Sequence, residues 1–244
     1  MNQKRFKEAE HSYDQAIALD PNFVEAYYNL GNTLEELNQL DAAALNYRKV
    51  VHLKPEHFNS WIRLGQIYRE EKLYKEAVHC YEKILLNSSV TLSKEIYEQC
   101  AQCCFEFGSI LVLNGQYYLA RQYFEKAIFY HPNHADSLCK LAVVTLMQNN
   151  PQESIHLIRQ ALSLTTKENV NPIYCTLLFT LFYDETITPE IVRAEAKKWG
   201  QPLEEEIAEF AYTYHLNSKE PHRKIKLGYL SPDFKDHPGK HILN

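Results

Sequence analysis

Histidine has the side chain best suited to proton transfer near neutral pH, and this 244-residue chain has eleven, among them His237. It lies in the run Asp233-Phe-Lys-Asp-His-Pro238. A neutral imidazole there could take a proton from a hydroxyl near neutral pH. A loop histidine that only bonds locally would look the same, and Asp233 is better suited to orienting the turn. Cys100, Cys103 and Cys104 form a C-x-x-C-C cluster. Zinc asks for about four ligands, usually from two paired knuckles. This cluster lies in helical sequence, where cysteine acts as a small core hydrophobe. His131-Pro-Asn-His134 reads as a turn, and the Pro-Gly between His237 and His241 opposes the helix that would align them. No metal site is therefore expected. Neither a phosphate-cradling glycine loop nor a nucleophile elbow occurs.

The elements that would position any site are repeated. Tyr13, Tyr47 and Tyr81 are spaced by 34, as are Ala9, Ala43 and Ala77. Gly31 and Gly65, Leu30 and Leu64, and Pro21 and Pro55 keep the same step. The next copy is displaced by 43, from Gly65 to Gly108 and Tyr81 to Phe124, and then 34 resumes from Phe124 to Ile158. Each copy predicts two helices. Tyr27, Leu30 and Leu34 share one helical face, and Ala43, Tyr47 and Val50 share another across a polar break at Asn38–Leu40. A proline closes the second helix. Glycine inside a helix costs about 1 kcal/mol against alanine. Its recurrence at Gly31, Gly65 and Gly108 predicts close approach of the paired helix.

These columns resemble the tetratricopeptide repeat family over about residues 2–166. The resemblance implies an all-α, right-handed superhelical solenoid with a concave groove. A half repeat would occupy 2–22, full repeats 24–57, 58–91, 101–134 and 135–168, and capping or linker helices 169–218. The nine extra residues near Val90–Cys100 would lengthen one first helix. The chain opens on a second helix without its first, which predicts further repeats upstream.

In that family the first helices line the groove. The resemblance assigns to it Asn29, Asn32, Arg63, Gln66, Glu106 and Lys140, with Ser109 and Val143 in the same columns. Asparagine offers donors and an acceptor, so it can hold a peptide backbone without reading its sequence. Only the first full repeat has both asparagines, so the later repeats imply more specific recognition. The expected partner is a protein or peptide in the groove.

Beyond the repeats, NPIYCTLLFTLFYD (171–184) predicts an apolar helix. Thr188-Pro-Glu190 starts another, ending at Gly200, and Pro202–Leu216 gives a third. HRKIKLGYLSPDFKDHPGKH (222–241) then predicts a β-strand leading into a turn. Lys224–Pro238 resembles the opening of the catalytic region of protein O-GlcNAc transferases and Spindly proteins, a two-lobed GT-B nucleotide-sugar fold. On that resemblance, 219–244 begins an α/β domain and His237 lies near donor sugar and acceptor hydroxyl. UDP-GlcNAc would be the donor of the intact enzyme. No cofactor is expected in this chain, which alone is expected to bind protein rather than catalyse. The alternative is a stand-alone tetratricopeptide adaptor.

Composition sets the outer limits. Lys+Arg number 26 and Asp+Glu 31, for a net charge of -5, which argues against a nucleic-acid partner. Glycine numbers only 7 and tyrosine 17, a bias toward packed helices. No apolar stretch reaches the roughly 20 residues of a bilayer span, and no secretory leader is evident. The expected compartment is the cytoplasm, with reduced cysteines.

Overall fold

The computed structural model describes residues 2–86, 93–165 and 170–207. These residues form eleven α-helices: α1 (Asn2–Leu19), α2 (Val24–Glu36), α3 (Leu40–Leu53), α4 (Phe58–Glu70), α5 (Tyr74–Leu85), α6 (Lys94–Leu113), α7 (Tyr117–Tyr130), α8 (Ala135–Met147), α9 (Pro151–Leu164), α10 (Val170–Leu181) and α11 (Pro189–Ile207). The chain divides into 1–199 and 200–244, and the described part of the second is the end of α11.

From α1 to α10 each helix packs on its sequence neighbours, so α2–α3, α4–α5, α6–α7 and α8–α9 form successive antiparallel hairpins. First helices α6, α8 and α10 also touch one another, which makes an inner row. Second helices form the outer row. Here Lys126 Nζ of α7 reaches Glu82 of α5 at 2.7 Å, and Arg121 Nη2 of α7 reaches Glu153 of α9 at 2.7 Å. The described part of residues 1–199 is thus an all-helical solenoid of stacked hairpins. No helix among the described residues is long and apolar enough to cross a membrane.

The repeated glycines have a specific partner. A Cβ on Gly31 would lie 2.6 Å from the Tyr47 ring, one on Gly65 2.8 Å from Tyr81, and one on Gly108 2.8 Å from Phe124. All three rings are fully buried. At the same columns α8 and α9 carry Ala142 and Ile158, a larger residue facing a smaller one. There Ser154 Oγ donates to the Ala142 carbonyl at 2.7 Å. The pair conserves volume within the chain, as close packing requires.

A second repeated device joins the two helices of each hairpin. Asn38, Lys72, Gly115 and Asn149 all adopt left-handed backbone, with φ of 58, 60, 72 and 62°. Each ends a first helix with the same two bonds. For the first hairpin these are Asn38 N–H to the Glu35 carbonyl and Gln39 N–H to the Leu34 carbonyl, both 2.8 Å. This is the Schellman arrangement, which satisfies carbonyls a helix end would otherwise leave open.

The insertion before the third full repeat goes into α6, which has 20 residues where α2, α4 and α8 have 13. One expectation is overturned. The helix from Pro189 does not end at Gly200 but runs on through Pro202 to Ile207. Gly200 does not take the left-handed conformation of a C-terminal cap, and Pro202 removes only one backbone donor. The predicted strand and His237 lie outside the described residues.

Candidate peptide-binding groove

The six residues expected at the groove lie on first helices: Asn29 and Asn32 on α2, Arg63 and Gln66 on α4, Glu106 on α6 and Lys140 on α8. Asn29 and Asn32 are three residues apart, hence neighbours on one helix face. They lie beside the buried Leu30 and Leu34, which pack on α3.

Asn32 is fixed from below. The buried Tyr47 donates its hydroxyl proton to Asn32 Oδ1 at 2.7 Å. The acceptor end of the amide is therefore engaged and its NH2 end stays available to an incoming carbonyl. Burial and the nearby Glu35 raise the Tyr47 hydroxyl well above its usual pKa, so it remains a donor. Asn29 and Gln66 are half-buried, and neither side chain has a hydrogen bond among the described residues.

Charge on this face is arranged between repeats. Arg63 Nη1 lies 3.6 Å from Glu35 Oε2 and ties α4 to α2. Burial lifts the Glu35 carboxyl above its ordinary value, and Arg63 opposes that shift. Glu106 accepts from Gln102 Nε2 at 2.8 Å, and Gln102 Oε1 lies 3.2 Å from His134 Nε2 on the next hairpin. Lys140 is exposed and has no ion pair among the described residues. Ser109 bonds back to the Phe105 carbonyl at 2.9 Å. Toward the C-terminal end the face becomes apolar through Val112, Leu113, Val143, Leu146 and Met147, with Leu113 and Met147 86% and 56% exposed.

Two histidines that composition alone leaves anonymous hold the junctions. His134 caps α8, its Nδ1 accepting from Ser137 N–H at 3.2 Å, and its ring sits 5.3 Å from Phe105. His57 stands at the corresponding start of α4, 2.9 Å from Ser60 Oγ and 4.8 Å from the Tyr28 ring. Burial lowers the His134 pKa, which keeps the ring neutral and able to accept. The signal was present in the sequence as H-x-x-S at matching repeat columns, His57–Ser60 and His134–Ser137. Glu35 and Gln102 carried no comparable signal, because their roles depend on the neighbouring repeat.

Four of the six cysteines sit in the packing. Cys80, Cys100, Cys103 and Cys104 are buried. Burial pushes the thiols of Cys80 and Cys103 up to about 12, so they stay protonated and unreactive. Among the described residues no group of His, Cys, Asp or Glu converges as metal ligands.

Comparison with known proteins bears on the repeats. The family described as "TPR repeat" matches residues 1–38, and families described as "Tetratricopeptide repeat" match 24–57, 58–88 and 105–169. The protein ycf37 of Cyanophora paradoxa is 28% identical over 131 residues, 54% of this chain and 73% of that protein. DnaJ homolog subfamily C member 7 of Homo sapiens is 28% identical over 38% of this chain but only 21% of its own length. Protein O-mannosyl-transferase TMTC1 of Homo sapiens is 33% identical over 34% of this chain and 10% of its own length. Among solved structures, the MamA protein covers 80% of this chain and 98% of its own, at 18% identity and a TM-score of 0.48. With repeat matches along more than half its length, the chain belongs to the tetratricopeptide-repeat family.

Proposed function

We propose that this chain is a protein-interaction module that holds an extended segment of a partner protein along the inner row of first helices. The observation that carries the reading is the Asn29–Asn32 pair. One amide is oriented by a buried tyrosine, and the other is half-buried with no hydrogen bond among the described residues. Half-buried amides of this kind are suited to a peptide backbone, which presents alternating donors and acceptors. Arg63, Gln66, Glu106 and Lys140 then supply side-chain preference, and the apolar end at Leu113 and Met147 favours an apolar residue there. The test is to select peptides against the folded chain and ask whether they need Asn29 and Gln66.

A second reading rests on one sequence observation, the order of repeat columns followed by KIKLGYLSPDFKDHP. On it, the repeats are the acceptor-selecting arm of a nucleotide-sugar transferase, with His237 at its catalytic centre. Native protein purified from its source should then transfer radiolabelled sugar from UDP-GlcNAc to Ser or Thr of an added acceptor protein. Absence of transfer from UDP-GlcNAc, GDP-fucose and UDP-glucose would sink this reading and leave the first intact.

A further inference from the structure

The outer row contains an opening that the inner-row reading does not use. A cleft of about 1170 Å³ lies between α3 and α5, both of which pack on α4. Its floor is apolar, with Trp61 and Leu64 of α4 beside Val51 and Val78. Trp61 is held in place, donating Nε1–H to the Pro55 carbonyl at 2.9 Å with the His79 ring edge-on at 6.1 Å. Leu45 at the lip is 62% exposed.

Charge distinguishes this seam from the two that follow it. Arg48, Lys49, Lys75 and Lys83 line it, against Glu76 and Glu82. Glu82 is already engaged by Lys126 at 2.7 Å and by the Tyr130 hydroxyl at 3.2 Å. The α5–α7 and α7–α9 seams are closed by ion pairs, Glu82–Lys126 and Arg121–Glu153. Among the described residues no ion pair or hydrogen bond joins α3 to α5. Repeat register shows why. Lys83 stands one copy before Lys126, and Arg48 one copy before Glu82. The bridge that closes the later seam is here a like-charge pair, in a chain whose net charge is -5.

We propose that this outer cleft binds an acidic peptide segment of a partner protein, its carboxylates facing Arg48 and Lys83 and an apolar side chain resting on Trp61. A small anion alone would leave the apolar floor wet, and the size fits a peptide side chain with its flanking backbone. A nucleic acid would call for a larger cationic surface than this acidic chain presents.

The test uses the whole chain with Trp199→Phe, so that emission reports Trp61. Two short acetylated peptides serve as probes, one of Asp and Glu around a central Phe, the other with Lys at each acidic position. The acidic peptide is expected to shift Trp61 emission and to lose affinity as salt rises, and the Lys peptide to do neither. Arg48→Glu should weaken acidic-peptide binding roughly tenfold or more, about 1.4 kcal/mol. It should also raise the thermal midpoint, because it recreates toward Lys83 the pairing that Glu82 makes with Lys126. Lys83→Glu should weaken binding as well, and Asn29→Ala should leave it unchanged, which separates this cleft from the inner groove. Failure of the acidic peptide to bind, equal binding of both peptides, unchanged affinity in Arg48→Glu, or displacement by a single-stranded oligonucleotide would each overturn the proposal.

Discussion

Gly65 shows how tightly one position is set. A Cβ there would lie 2.8 Å from the Tyr81 ring, which is fully buried and has no free space to retreat into. Gly65→Ala should therefore destabilise the chain by about 1–3 kcal/mol through overpacking, although alanine is the better helix former. Shortening the ring should recover part of that loss, since Ala142 and Ile158 coexist at the same columns one hairpin from Gly108 and Phe124. Urea unfolding of Gly65→Ala, Tyr81→Ile and the double variant measures it. Strict additivity of the two single losses would contradict the account, because contacting residues should couple. The glycine column was legible in the sequence as a repeated helix penalty. The ring it accommodates was legible too, as a column of aromatics sixteen residues on, but their contact was not.

At the scale of the element, each hairpin turns on a left-handed residue, and the four positions hold Asn, Lys, Gly and Asn. The sequence shows only a polar break there, because three different residue types occupy one conformation. Lysine fits it worst, since its Cβ crowds the following carbonyl and no short polar side chain compensates. Lys72→Gly should stabilise the chain by about 1 kcal/mol, as φ of 60° costs glycine nothing. Thermal or urea unfolding checks this, and no gain would mean that Lys72 makes an offsetting contact. α11 teaches the opposite lesson. Gly200 and Pro202 look like a helix stop in sequence, yet the helix continues through both. A local breaker signal states a cost, and neighbouring turns can absorb it.

At the scale of residues 1–199, two rows of helices give two surfaces of different character. The first helices carry amides on α2 and α4 and alternating charge from α4 to α8, with apolar residues in the last turns of α6 and α8. The outer row carries ion pairs in two seams and a cationic opening in a third. Repeat columns made the first helices and their spacing legible, because one pattern recurs by position. Inter-repeat bonds such as Glu35–Arg63 and Gln102–His134 were not legible, because they join residues of different columns in different copies. Neither was the outer cleft, which depends on a bridge being absent where the next copy has one.

The most direct measurement of the central claim is selection from a random peptide display library against the folded chain, followed by binding of the selected peptides to variants. Asn29→Ala and Gln66→Ala are the informative changes, since neither side chain has a hydrogen-bond partner among the described residues whose loss would disturb folding. Asn32→Ala is less clean, because it would take from the buried Tyr47 hydroxyl its acceptor at 2.7 Å and leave it only Glu35. The account predicts enriched peptides that lose roughly tenfold or more in affinity on the double variant Asn29→Ala/Gln66→Ala, with its unfolding midpoint unchanged. Enriched peptides that bind the double variant as tightly as the native chain, or a selection that enriches nothing, would contradict it.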